Sequence, residues 1–262
     1  MTALTADRLP DLAPITLDEL VAEAELLARV DRKYIVPCAE AWDALADVRQ
    51  EARILEIDGR REFGYHSTYL DTPALTSFLS SGRAQRGRWK VRTRSYLDTG
   101  GSWLEVKTGG PRGQNVKQRI EAPEDGTLTA EGLGFLAGII GGGAADDLLP
   151  VLVTTYRRTT LLLPRSGARV TVDADLRWQS LAHGGGLDLP GRVVIETKTG
   201  STPSEVDRLL WSRGHRPVRI SKYGAGMAAL HPDLPHLKWH RVMQQHLLPT
   251  SLTSRPSEGH SR

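Results

Sequence analysis

Cysteine is nearly missing from this chain: Cys38 stands alone among 262 residues. No internal disulfide can form, and no metal site can be built from cysteines. That usage fits a reducing compartment. Long apolar runs are missing too. None approaches the roughly 18 to 20 residues that a membrane helix needs. The longest, 133–140, is short and broken by glycine. The opening MTALTADRLPDLAPITL carries acids and prolines and no apolar core of signal length. These absences predict a soluble, cytoplasmic protein with no membrane segment of its own. Neither charge dominates, since 34 Lys and Arg face 31 Asp and Glu, for a net charge of +3. Basic residues can therefore matter only where they cluster, and duplex nucleic acid is not an expected partner. Neither GxxxxGKS/T nor GxGxxG occurs, which removes the usual nucleotide-binding folds. No internal repeat is visible. The length suits one large domain, or one domain with helical decoration.

What is present is a concentrated basic stretch, Arg88 to Arg119, that reads as three strands joined by glycine turns. Residues two apart on a strand share a face. Lys90, Arg92 and Arg94 therefore share one face of the first strand, Glu105 and Lys107 one face of the second, and Lys117 and Arg119 one face of the third. The opposite faces carry Trp89, Val91 and Leu97, then Leu104 and Val106, then Val116 and Ile120. Other segments repeat the pattern. RVDRKYIVP alternates Asp31 and Lys33 with Arg32 and Tyr34; VLVTTYRRTTLLLP places Arg157 with Thr155 and Thr159. GARVTVDADLRW lines Arg169, Thr171, Asp173 and Asp175 on one face, and RVVIETKTG lines Arg192, Val194, Glu196 and Lys198. EFGYHSTYLDT is a further strand, followed by a short helix with Pro73 in its first turn. Helices are expected from Thr16 to Val30, over 39–48, in one or two short pieces across 121–150, after Pro203, after Ser221, and over 233–248.

Roughly eight strands of antiparallel character, nearly all with one charged face, argue for a closed barrel. Apolar residues then pack outward under helices, and the charged faces line a polar tunnel. The expected inward cations are Lys33, Lys90, Arg92, Arg94, Lys107, Lys117, Arg119, Arg157, Arg169, Lys198, Arg219 and Lys222. Buried cations need partners. Glu105, Asp173, Asp175 and Glu196 offset some of them, and a polyanion would complete the balance. Arginine forks match phosphate oxygens, and lysine acts as a point charge. Carboxylates suit a hard divalent cation, Mg²⁺ or Mn²⁺, that bridges phosphates. The fold expectation is thus α+β, an eight-stranded antiparallel closed β-barrel with flanking helices, performing phosphoryl transfer.

The set RVDRKYIV, YHSTYLDTP, KVRTR, LEVKT, VKQRI, YRRTTL, RVTVDADL, VVIETK and ISKYGAGM resembles the VTC domain. That family is the polyphosphate polymerase branch of the triphosphate tunnel metalloenzymes, and the resemblance covers roughly residues 28 to 230. It implies a tunnel barrel over 28–232, preceded by a tail and helix over 1–27 and followed by a helix over 233–248 and a disordered tail over 249–262. It implies ATP or another triphosphate as donor, a divalent metal as cofactor, and a growing inorganic polyphosphate chain in the tunnel. Lys33, Arg92, Arg94, Lys107, Lys117, Arg157 and Arg169 resemble the family's basic wall, and Arg119 and Lys198 join them as phosphate contacts. Glu196 resembles the metal ligand, with Asp173 as a second candidate. Ser221 and Lys222, in the SKY segment, resemble contacts to the triphosphate or acceptor. Arg92, Arg94, Lys107 and Lys222 are the candidate catalytic residues. Hydrolytic tunnel enzymes carry ExExK on the first strand, whereas this chain has Arg29-Val30-Asp31-Arg32-Lys33. That favours polymerisation over a triphosphatase of the same fold; a non-catalytic polyphosphate-binding module, whose basic wall would be identical, stays open as a further alternative. Coupling synthesis to export would need a membrane-protein partner. His66 and the tyrosines read as structural.

Overall fold

The computed structural model describes residues 12–23, 30–110 and 115–248. The expected loose start, the second half of the first helix, the tip of the turn between the second and third basic strands and the polar tail lie largely or wholly outside those residues. Eleven strands join one sheet. They are β1 (Ala13–Ile15), β2 (Val30–Pro37), β3 (Arg53–Leu55), β4 (Phe63–Asp71), β5 (Trp89–Tyr96), β6 (Ser102–Gly109), β7 (Asn115–Glu121), β8 (Leu149–Leu163), β9 (Ala168–Ser180), β10 (Gly186–Asp188) and β11 (Arg192–Thr199). The main path runs β2-β11-β9-β8-β4-β5-β6-β7, antiparallel throughout. Two short strands escape the sequence reading: β1, which pairs parallel with β3, and β10, which pairs with β9.

The expected closed barrel is not what forms. Among the described residues, the terminal strands β2 and β7 do not pair, so the sheet stays open. One cause is visible at β2, where the carbonyl of Lys33 accepts from the amide of Val218 at 2.7 Å. Part of that edge is thus taken by the chain before the SKY segment rather than by a strand. The sheet curls instead. Its convex side is covered in two places, each by helices with an apolar stripe. α2 (Cys38–Ala46) and α6 (Glu205–Ser212) cover β2, β11, β9 and β8 through Trp42, Leu45, Val206 and Leu210. α4 (Ala130–Ile140) and α5 (Gly142–Asp146) cover β5 and β6 through Leu136 and Ala145 against Val91, Leu104 and Val106. The remaining helices are α1 (Leu17–Glu23), which packs Leu20 on β3, and α3 (Thr76–Gly82).

The concave side is closed at one place by α7 (Lys222–Leu230) and the chain on either side of it, which pack Ile220, Tyr223, Met227 and Trp239 on Ile35, Tyr69, Tyr156 and Val194. Here the glycines of YGAGM have a steric reason. A Cβ on Gly224 would lie 2.0 Å from the ring of Trp239, and one on Gly226 2.2 Å from that of Trp178. Bare backbone is what lets α7 enter the trough. Tyr223 donates to Asp71, which also accepts from the amides of Thr72, Ser77 and Phe78 at 2.8, 2.8 and 2.9 Å. One buried carboxylate thus joins the end of β4, the start of α3 and the SKY segment. The last expected helix is irregular: a 3₁₀ turn Leu237–Trp239, a helical turn His240–Val242 and a π turn Met243–Leu247.

Candidate functional site

Register places the charged side chains in rows across the concave face. Lys90, Lys107 and Lys117 are cross-strand neighbours at one end of β5, β6 and β7. Arg92, Glu105 and Arg119 form the next row, and Arg94 and Trp103 the one beyond. On the other arm, Lys33, Glu196, Thr171 and Thr160 align across β2, β11, β9 and β8, while Lys198 aligns with Arg169. Curling brings the two arms together, since the charges that act on Lys107 include Glu196, Lys198 and Lys33 from the opposite arm.

Two carboxylates anchor most of the arginines. Glu105, 1% exposed, accepts from Arg92 Nε at 2.7 Å and Nη2 at 2.5 Å, pairs with Lys117, and lies 3.9 Å from Arg94. Burial alone would raise its carboxyl, but Arg92, Arg94 and Lys117 hold it well below the usual range. The arginines are held at other donors too: Arg92 reaches the hydroxyl of Tyr69 at 3.2 Å, and Arg94 reaches Tyr156 at 3.1 Å and Ser67 at 3.4 Å. Asp173, equally buried, grips Arg158 in a fork at 2.6 and 2.8 Å and also pairs with Lys222. Burial opposes ionisation there as well, yet Arg158 and Lys222 hold the carboxyl at about 2. Arg158 lies 5.2 Å from the ring centres of both Tyr65 and Tyr156, and the ammonium of Lys222 sits 4.3 Å from that of Tyr156. Each arginine and lysine is thus fixed before any ligand arrives, which cuts the ordering cost of binding.

Glu196 is held more loosely. Its carboxylate lies 3.8 Å from Lys33 and 3.5 Å from Lys198, and those lysines still keep it well below the usual range against the pull of burial. Asp173 sits opposite Val194 and Glu196 opposite Thr171, so the two acids are diagonal neighbours on one face, about 7 to 8 Å apart. No group of three or more His, Cys, Asp or Glu that could cage a metal occurs among the described residues. A divalent ion that arrives with phosphates needs only one or two carboxylates. Glu196, with its long ammonium contacts, fits that lesser requirement, whereas both oxygens of Asp173 are already taken by Arg158 and Lys222.

Other expected residues fall elsewhere. Arg157 sits on the convex side and pairs with Glu62, while its neighbour Arg158, missed from sequence, faces the trough. Consecutive arginines on a strand must point to opposite faces. The available signal was register, since Tyr156 and Tyr65 are cross-strand partners and stack at 5.1 Å, which sets the inward parity of β8. Asp175 is exposed with φ 51°, at the bulge where β9 gains a residue on β8. That bulge separates it from Asp173. Arg119 lies over Trp103 at 4.2 Å. Ser221 caps α7 by accepting from the amide of Gly224 at 3.3 Å. His66 is a cross-strand partner of Ser95 and Thr155, opposite in face to Ser67, and burial lowers its imidazole.

The site is thus a curled, open antiparallel sheet whose concave face is lined with cations and two buried acids. The VTC domain family matches residues 28–130 and 143–231, most of the chain, and the protein belongs to that family. No curated protein matches it. Among solved structures, a candidate adenylate cyclase of Bacillus halodurans is similar at 12% identity, over 74% of this chain and 94% of that one, with a TM-score of 0.49. A candidate adenylyl cyclase of Hippeastrum, described as having a dominant triphosphatase activity, shares 17% identity over 79% and 98%, with a TM-score of 0.46. The PH1819 protein of Pyrococcus horikoshii shares 14% over 75% and 96%, with a TM-score of 0.42. No described helix is long and apolar enough to cross a membrane.

Proposed function

We propose that this protein is a polyphosphate polymerase that moves the γ-phosphate of ATP, or of another triphosphate, onto the end of a polyphosphate chain lying in the trough. Membership of a family whose tunnel fold is generally enzymatic supports an enzyme acting on triphosphates. The observation that carries the reading is the convergence on one concave face of Lys33, Arg92, Arg94, Lys107, Arg158, Lys198 and Lys222, from both arms of the sheet and from α7. Phosphoryl transfer asks the protein mostly for positioning and charge stabilisation. Arg92 and Arg94 offer donors left over from Glu105, Tyr69 and Tyr156 to successive phosphates. Arg158 and Lys222 set two positive charges beside Asp173, where charge that develops on the transferring group and its leaving oxygen would be met. Glu196 would hold a divalent ion that enters with the triphosphate, and that ion would neutralise phosphate oxygens. No strong base is required, because the acceptor is already a phosphate oxyanion. Trp103 and Arg119 sit at the end of the face away from the lysine row.

Incubation of the protein with ATP and Mn²⁺, resolved on a gel stained for polyphosphate, tests the reading. Long chains are expected from the wild type and a loss of about 100-fold from Arg94→Ala, the scale of one lost oxyanion donor. Release of free phosphate without chain growth would make the enzyme a triphosphatase. Tight binding without turnover would make it a binding module. In either enzyme Glu196→Gln abolishes turnover while polyanion binding persists.

A further inference from the structure

One group of cations takes no part in the anchoring just described. Lys238 belongs to the chain after residue 231, beyond the family match. Its ammonium donates to the carbonyl of Ser81 at the end of α3 and sits 5.3 Å from the ring of Trp239. Trp239 is fully buried, with Phe78 at 5.3 Å, so Lys238 rests on a fixed base. The bond from Val218 to Lys33 sets Arg219 beside the same edge of β2. Arg88 precedes β5, and its guanidinium lies across Gly109, where a Cβ would come within 2.8 Å of Nη1. Lys90 follows two residues later, half-buried and opposite Lys107.

These side chains face one another without an acid. The charges that press most on Lys90 are Lys33, Lys238, Arg88 and Arg92, and those that press most on Lys238 are Arg88, Arg219 and Lys33. Among the described residues, Lys90, Arg88, Arg219 and Lys238 have no carboxylate partner. A half-buried group of like charges is costly unless something anionic joins it. Lys90 and Arg94 are four residues apart on one strand, about 13 Å. That is further than the three phosphorus atoms of a triphosphate span.

We propose that Arg88, Lys90, Arg219 and Lys238 form a second phosphate station at the lysine end of the trough, which takes the distal phosphates of a linear polyphosphate chain longer than a triphosphate. The proposal rests on the reading of the concave face as a phosphate site, and it extends that face into the C-terminal segment. Calorimetric titration of the full chain with tripolyphosphate and with long-chain polyphosphate, at physiological salt, tests it. Lys238→Ala and Arg219→Ala should each weaken the long chain about tenfold, the scale of one charge-assisted contact, and leave tripolyphosphate within about twofold. Lys238→Arg should retain the long-chain affinity, whereas a loss there would assign the effect to packing on Trp239 and overturn the proposal. Equal loss for both ligands, or no loss for either, would also overturn it. If the wild type binds neither ligand, the phosphate reading itself fails and the second station falls with it. If Arg94→Ala weakens tripolyphosphate while Lys238→Ala does nothing, the reading stands and the second station alone is refuted.

Discussion

Two regions of one concave face solve the same electrostatic problem in opposite ways. Around Glu105 and Asp173 each buried acid is shared by several cations, and the cluster is close to balanced without a ligand. At the lysine end, Lys90 and Lys107 sit across from each other with cations in excess. The first region spends its charge on order: its arginines are placed, and donors are left over on them. The second keeps its charge unspent and is stabilised only when an anion arrives. Position and affinity are thus divided between neighbouring rows of the same strands.

The largest test removes an anchor. Glu105→Gln should cost roughly 3 kcal/mol of stability in the ligand-free protein, because it leaves Arg92 and Arg94 buried against no charge. Chemical denaturation would measure it, and added tripolyphosphate should restore much of the loss by standing in for the carboxylate. Lys238→Gln at the other region should cost little in the same assay, since it relieves repulsion. Equal losses in the two variants would erase the distinction between the regions. Next in size is Gly224→Ala. A methyl group there meets the buried ring of Trp239 and should cost about 1 to 3 kcal/mol by overpacking, with Lys222 displaced from Asp173. Gly134→Ala, in α4 with nothing within 4 Å of the added atom, should instead gain up to about 1 kcal/mol from helix propensity. Denaturant midpoints of the two variants that shift in the same direction would refute the packing account.

The difference between the regions should also appear in pH. Burial, then Lys33, Lys238, Arg88 and Arg92, lowers Lys90 to about 7. Lys107 is reached by water along the open side, which tempers the effect, but protein crowds it. Burial, then Arg92 and Lys198, lowers it to about 6 against the opposing pull of Glu196, with Lys33 adding to the lowering. An anion favours the charged forms, so long-chain polyphosphate binding should strengthen by up to about tenfold per lysine as pH falls from 8 toward 7, with proton uptake. In the ligand-free protein these lysines bind fewer protons than in the unfolded chain between about pH 6 and 10, so their contribution makes stability rise with pH there. Calorimetry in buffers of different ionisation enthalpy measures the uptake. Lys90→Arg, which stays charged, should flatten the slope; an unchanged slope in Lys90→Arg with Lys107→Arg would remove these lysines as its source.

Much of this arrangement was legible as alternation. Period-two charge in KVRTR, LEVKT and VIETK placed Arg92, Arg94, Glu105, Lys107 and Glu196 on shared faces, because strand geometry leaves no other choice. Closure was not legible. Whether the last edge pairs depends on what reaches β2 first, and a single bond from Val218 to Lys33 lies outside any local pattern. Nor could alternation tell that α7 enters the concave face, since the fit of Gly224 and Gly226 against Trp239 and Trp178 brings together residues far apart in sequence. The bulge at Asp175 resets parity on β9 for the same reason: it belongs to the pairing of two strands, not to either one.

The smallest expected effect settles the sharpest of these ambiguities, the tandem Arg157-Arg158. The two are adjacent in sequence, and a pattern of alternating threonines favours the first. Structure separates them completely: Arg157 is about half exposed against Glu62, and Arg158 is forked onto buried Asp173 beneath two tyrosine rings. An exposed pair of that kind contributes about 0 to 1 kcal/mol. Arg157→Ala should therefore change stability by less than about 1 kcal/mol and leave turnover of a triphosphate at the wild-type rate. Arg158→Ala, by contrast, strands Asp173 with Lys222 alone and should remove most activity. If Arg157→Ala were the damaging substitution, the inward parity of β8 would be reversed, and with it the assignment of Tyr156, Asp173 and Lys222 to one site. A variant with almost no expected effect thus tests the register on which the anchored half of the face depends.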